Sequence, residues 1–189
     1  ELYEENIMKR ELTANMLNLF IYEMWATIIK LIKQISLDEN TYEKIKTEFE
    51  NMENISEINK LQSIMNTYYT ICDVMERQKQ SRNTQLKDQI VKYINETYMD
   101  NGLSLVSVAY KFNLSEAYLS HFFKEQMGEN FSTYLENLRM EKSMELLKNT
   151  DLPINVIADR VGYSSSATFC RAFRRKHGVN ATAFRNTKD

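Results

Sequence analysis

One pattern of apolar positions occurs twice in the second half of the chain, and it limits the fold more than any other feature. The first copy is LSLVSVAYKFNLSEAYLSHFFKEQMG at residues 103–128; the second is LPINVIADRVGYSSSATFCRAFRRKHG at residues 152–178. Leu105 and Ile154, Val108 and Ile157, Ala109 and Ala158, Phe112 and Val161 fall into register. The second copy then carries one extra residue, after which Leu119 and Phe169, Phe123 and Phe173, Lys124 and Arg174, Gly128 and Gly178 align. Matching apolar positions at a fixed offset mean two similar small units. The spacing inside each copy predicts a short helix, a tight turn and a longer helix.

The rest of the chain supports an all-α fold. Its 189 residues allow one or two domains with real cores, and 43% apolar content excludes a disordered chain. Four Gly and one Pro leave few turn signals, and long stretches rich in Glu, Lys, Leu, Met and Ile favour helix. Cys72 and Cys170 have no paired spacing, so they predict neither a disulfide framework nor a zinc site, which suits a reducing cytoplasm. The chain begins at Glu1 rather than Met and is expected to be a piece of a longer protein; no signal peptide is visible. The most apolar stretch, residues 16–35, is broken by Glu23, Lys30 and Lys33 and is not expected to span a bilayer.

Residues 2–35 read as one long helix or two stacked ones, with Ile21, Met24, Trp25, Ile28, Leu31, Ile32 and Ile35 as an apolar stripe. Asp38 or Asn40 can cap a polar helix over residues 41–52. Ile58, Leu61, Ile64, Met65, Tyr68, Ile71, Cys72 and Met75 form a second stripe. Its near-heptad spacing suits either an intramolecular bundle face or a dimer seam. Residues 76–84 (ERQKQSRNT) are the best linker candidate, although without Gly or Pro they also suit a solvated helical turn. Residues 85–98 are helical again, and Asp100, Asn101 and Gly102 stop that helix. The expected organisation is a helical segment over residues 1–80 for dimerisation or signal relay, followed by a second domain over residues 85–189.

Within the repeats, Ser104 is expected to cap the first short helix and Ser115 the helix after it, with Glu116 in its first turn. Tyr118, Leu119, Phe122 and Phe123 are expected to face inward. Residues 131–148 form a connecting helix with Tyr134, Leu135, Leu138, Leu146 and Leu147 on its apolar face. In the second copy, Pro153 starts the short helix, Gly162 fits the turn, Ser164 caps the long helix, and residues 182–188 add a short terminal helix.

Charge is unevenly spread. Residues 1–81 hold 9 Lys and Arg against 14 Asp and Glu, a net of −5, whereas residues 82–189 hold 15 against 12, a net of +3. Residues 160–189 carry Arg160, Arg171, Arg174, Arg175, Lys176, Arg185 and Lys188 against Asp189. A basic end on an acidic protein suits a polyanion-binding face; a merely solvated helix surface is the other reading. A helix, a turn and a second helix is the commonest device for placing a helix in the DNA major groove.

The motifs LSLxxxAxxFxLSxxYLSxxFK at 103–124, GExFSxYLxxLRMEKxMELL at 128–147 and IxxIADRVGYSSSxxFxRAFRR at 154–175 resemble the AraC/XylS-type DNA-binding domain of bacterial transcription regulators over residues 103–185. Two departures stand out. Ala181 replaces the usual proline, and Ser143 sits where alanine is typical. The resemblance implies seven helices, in two helix-turn-helix units bridged by the connecting helix, with two reading helices entering successive major-groove segments. It implies double-stranded DNA and RNA polymerase as partners. Residues 1–80 are in turn similar to the helical segment that precedes this domain in membrane-anchored or multidomain regulators, which implies a homodimer through them or the relay of a signal from an upstream sensor domain. It also implies a cytoplasmic location, including the cytoplasmic part of a membrane-anchored regulator.

By the same resemblance, the first reading helix offers Ala117, Ser120 and His121 to bases, and the second offers Ser166, Ala167, Thr168 and Arg171. Lys124, Arg174 and Arg175 fall to phosphate, with Ser115 and Ser165 beside them. Arg171 can donate to guanine O6 and N7, Thr168 can offer a methyl to thymine, and Ala117 and Ala167 make apolar contact only. Serines bond bases or phosphates. The first unit is poor in cations and is expected to discriminate less, or through water and DNA shape. His121 is equally readable as a plain surface histidine, and His177 as a residue compensating a helix dipole. No carboxylate pair, Cys-His arrangement, phosphate-cradling Gly loop or metal-ligand cluster marks an enzyme, and no cofactor or metal is expected. The competing function is a helical protein-interaction or signal-relay module that binds no DNA.

Overall fold

A computed structural model describes residues 13–54 and 56–186. All regular elements among them are helical, as the composition predicts. They divide into two compact units, with the boundary between Arg82 and Asn83.

In the first unit, α1 (Ala14–Ile32) is capped by Thr13 and α2 (Glu39–Glu50) by Asp38, whose carboxylate accepts from Thr41 N at 2.9 Å. The 3-10 turn Asn51–Asn54 follows. The expected helix at 2–35 thus begins at Ala14 among the described residues, and its first part, 2–12, lies outside them. Ile21, Trp25 and Ile28 of α1 pack with Ile45 of α2 and with Leu61, Ile64 and Ile71 of α3 (Glu57–Thr97). Ser63 and Thr67 of α3 donate to the Glu48 carboxylate at 3.2 and 2.9 Å, which satisfies the buried Thr67 hydroxyl, whereas the buried Trp25 Nε1 has no partner among the described residues.

The second apolar stripe splits. Leu61, Ile64 and Ile71 are buried inside the unit, whereas Met65, Cys72 and Met75 are exposed. The side chain of Ile58 lies outside the described residues. Residues 76–84 contain the boundary between the units and take the helical alternative: α3 runs through them unbroken to Thr97, because nothing in ERQKQSRNT breaks a helix.

The second unit contains the end of α3 and six further helices: α4 (Leu105–Lys111), α5 (Glu116–Met127), α6 (Phe131–Asn149), α7 (Ile154–Arg160), α8 (Ser166–His177) and α9 (Ala181–Asn186). Residues 187–189, the end of the expected terminal helix, lie outside the described part. Two cores form here. Ile90 and Ile94 of α3 join Val108, Ala109, Leu119, Phe122, Phe123, Phe131, Leu135 and Leu138 in the first. Met140 and Leu147 join Ile157, Ala158, Val161, Phe169, Ala172, Phe173 and Ala181 in the second. The connecting helix α6 therefore has no single apolar face: its first half serves one core and its second half the other.

The turns of the two repeats are built alike. Leu114 N donates to Ala109 O and Tyr163 N to Ala158 O, both at 2.9 Å, while Asn113 N and Gly162 N donate to Tyr110 O and Asp159 O. Both turns thus close with the paired bonds of a Schellman motif, around Asn113 at φ 54° and Gly162 at φ 83°. The extra residue of the second copy is Ser164. The cap of α8 is Ser165, not Ser164; its Oγ accepts from Thr168 N at 3.2 Å, as Ser115 Oγ accepts from Tyr118 N at 3.2 Å. Ser143 keeps its hydroxyl satisfied in the second core by donating to Met140 O at 2.7 Å.

Candidate nucleic-acid interface

Helices α5 and α8 bury one face each and leave the opposite face open. Leu119, Phe122 and Phe123 anchor α5; Phe169, Ala172 and Phe173 anchor α8. Every residue expected to meet DNA is exposed: Ser115, Ala117, Ser120, His121 and Lys124 in the first repeat, and Ser165, Ser166, Ala167, Thr168, Arg171, Arg174 and Arg175 in the second. Ala117, Ser120, His121 and Lys124 recur at helical spacing on one face, and so do Ala167, Arg171 and Arg174. Tyr118 departs from expectation. It is 47% exposed and stacks on Phe122 at 5.8 Å, because the α5 core side is already filled by Leu119 and Phe123.

The two faces differ chemically. Position by position, Glu116, His121 and Glu125 of α5 stand where α8 has Ser166, Arg171 and Arg175. Glu125 lies 3.9 Å from His121 Nδ1. The last turn of α8 holds Arg174, Arg175, Lys176 and His177. Arg171 and Arg174 make no side-chain hydrogen bond or ion pair among the described residues, so their donors are available.

Three expected roles meet constraints. Thr168 Oγ1 lies 2.9 Å from Ser165 Oγ, so the two hydroxyls are hydrogen-bonded to each other. Arg175 Nη2 donates to both Glu136 oxygens at 2.7 and 2.8 Å, and this pairing raises its pKa. His177 is no dipole-compensating cation. Its ring packs 4.5 Å from Phe173, Nε2 is buried without a partner, and burial, aided by Lys176, lowers its pKa.

Sequence reasoning missed Arg139. From α6 its Nε donates to Tyr98 O at 2.9 Å and its Nη2 to Asp100 O at 2.7 Å, covering carbonyls at the end of α3. Its guanidinium lies 5.7 Å from the Tyr163 ring centroid, and burial lowers its pKa. The only signal was an arginine set between two core residues, Leu138 and Met140.

A helix-turn-helix domain profile matches residues 108–187. The C-terminal domain of AraT, a response regulator from Geobacillus stearothermophilus, is similar at 40% identity and TM-score 0.52, over 53% of this chain and 83% of that one. The chain belongs to the AraC-type helix-turn-helix family. The C-terminal domain of the two-component response regulator yesN from Fusobacterium nucleatum is 34% identical, with TM-score 0.53, over 53% of this chain and 98% of that domain. The HTH-type transcriptional regulator YijO of Escherichia coli is 36% identical over 108 residues, which is 57% of this chain and 38% of that protein. The chain thus spans well under half the length of that curated relative. The profile match takes in the bridging helix and both repeats from Val108 onward; the first compact unit, up to Arg82, falls outside it. Among the described residues, no helix is long and apolar enough to cross a membrane.

Proposed function

We propose that this chain is a sequence-specific, DNA-binding transcription regulator that inserts α5 and α8 into successive major-groove segments of double-stranded DNA. One observation carries the reading: both helices present small or donor-bearing side chains outward while their opposite faces are locked into separate cores. One turn of B-DNA separates successive major-groove segments by about 34 Å, a spacing that suits paired reading helices. Ala117, Ser120 and His121, and Ser166, Ala167, Thr168 and Arg171, are the base-reading set. Ser115, Lys124, Ser165, Arg174 and Arg175 hold phosphate, with Arg175 first surrendering Glu136. Both capping serines accept a backbone N–H; Ser115 keeps its own O–H for donation, while Ser165 shares a hydrogen bond with Thr168.

Residues 1–80 serve as a homodimerisation or relay segment, with an upstream sensor and RNA polymerase as further partners, in the cytoplasm. Exposed apolar side chains of the first unit, such as Leu19 at 62% and Tyr69 at 63%, support an interaction role for it. No catalytic role is assigned. Selection of duplexes from a random pool, followed by salt titration of the winner, tests the DNA reading. Affinity that ignores salt, or no enriched sequence, overturns it. Sedimentation over a range of concentrations tests the dimer.

A further inference from the structure

Arg139 sits where three elements of the second unit meet. Its two donors hold Tyr98 O and Asp100 O, at the end of α3. The turn between α7 and α8 closes over the same point: a Cβ placed on Gly162 would lie 2.4 Å from Tyr98 O and 2.8 Å from Arg139 Nη2. The Tyr163 ring stands over the guanidinium and meets Phe169 edge-on at 5.6 Å. Phe169 is fully buried and belongs to α8, next to Thr168 and two residues before Arg171. A continuous set of contacts therefore runs from the end of α3 through Arg139 and Tyr163 to the root of the second reading helix. Among the described residues, the first repeat has no counterpart. Its turn uses Asn113, which is exposed, followed by Leu114, which packs into an apolar core.

We propose that Arg139 is a positioning residue for sequence reading: it fixes the pose of α8, and so governs base preference at the half-site that α8 reads, but not at the half-site of α5. The inference rests on the DNA-binding function proposed above and adds a residue that touches no DNA. Bidentate base contacts depend on geometry, so a small rotation of α8 costs discrimination before it costs general affinity.

The test uses the full chain with Arg139→Met and Arg139→Lys. Lysine keeps the charge but cannot span two carbonyls with a fixed fork. Half-sites are first assigned on the parent with Arg171→Ala and His121→Ala. Arg139→Met is expected to lower discrimination at the α8 half-site about tenfold and to leave the α5 half-site unchanged, with Arg139→Lys intermediate. Equal loss at both half-sites, or no loss at either, overturns the proposal. Amide hydrogen exchange supplies a second arm that needs no DNA. In Arg139→Lys the Gly162 and Tyr163 amides should exchange faster while those of Asn113 and Leu114 hold their rates. Unchanged protection at Gly162 and Tyr163 overturns the proposal whether or not the Arg139→Met variant folds. A parent that binds no duplex refutes the DNA reading by itself, and the exchange arm still decides the role of Arg139.

Discussion

Arg175 of α8 and Glu136 of the connecting helix form a forked ion pair, with Nη2 2.7 and 2.8 Å from the two carboxylate oxygens. Beside it, Lys176 Nζ donates to Asn137 Oδ1 at 2.6 Å, and Asn137 in turn donates to Glu129 at 2.9 Å. The second reading helix is thus tied by polar contacts to the helix that bridges the two repeats. The arginine is 69% exposed, so the pair is screened and contributes little to stability.

The pair has a consequence for affinity. In the proposed DNA-binding role, Arg175 would reach phosphate only by leaving Glu136, whereas Arg174 has no partner to leave among the described residues. Glu136→Gln is therefore expected to strengthen binding to all duplexes a few-fold and to steepen the salt dependence, without altering base preference. Arg174→Ala should weaken all sequences alike and reduce the salt slope by about 1. Affinities measured across a salt series check both; a Glu136→Gln variant with parental affinity at every salt concentration would remove the competition between carboxylate and phosphate.

Much of this is legible in the residues. The register of Leu105 with Ile154 and of Phe123 with Phe173 shows that the chain folds one motif twice, because burial demands the same apolar spacing in both. The run of serines at 164–166 leaves the cap of α8 ambiguous by one residue, yet the offset that pairs Phe123 with Phe173 also pairs Ser115 with Ser165. Other features leave no trace in spacing. Whether Met65 faces a core or solvent depends on which helix packs against α3, and a stripe that is apolar on both sides does not say. Arg139 and Glu136 are charged residues on a half-buried helix; their partners, Tyr98, Asp100 and Arg175, come from distant parts of the sequence.

The chemical difference between the two exposed faces predicts unequal readers. Arg171→Ala should cost about 1–3 kcal/mol of specific binding and relax one base position. His121→Ala, at the equivalent place in α5, should cost less, since a single imidazole beside Glu125 offers no fork of donors. A gel-shift series over single-base variants of the selected site measures both. Equal penalties would show that the first repeat reads as sharply as the second.

The buried edge of His177 sets a pH dependence. Its folded pKa is lowered, first by burial and then by Lys176, so the folded protein resists the proton more than the unfolded chain does. The stability this group contributes is complete above the unfolded value of about 6.5 and is lost as pH falls from there toward the lower folded value. The thermal midpoint of the parent should accordingly drop between pH 7 and pH 5 by more than that of His177→Gln, whose side chain does not titrate. Parallel curves for the two proteins would mean that the imidazole is free to protonate in the fold.

Gly162 and Gly178 share a left-handed backbone, at φ 83° and φ 75°, but not the same surroundings. A methyl on Gly178 meets nothing within 4 Å, so Gly178→Ala should cost only the backbone strain of about 1 kcal/mol. A methyl on Gly162 would lie 2.4 Å from Tyr98 O, a backbone atom at the end of α3 that cannot swing aside as a side chain would. Relief requires the turn to move away from α3, which pulls Tyr163 off Arg139 and loosens the root of α8. Gly162→Ala should therefore cost several kcal/mol, well beyond strain alone, because overpacking adds about 1–3 kcal/mol to it. Urea unfolding of both variants beside the parent separates the two effects. Similar midpoints for Gly162→Ala and Gly178→Ala would mean that the turn yields to the extra methyl without disturbing the end of α3.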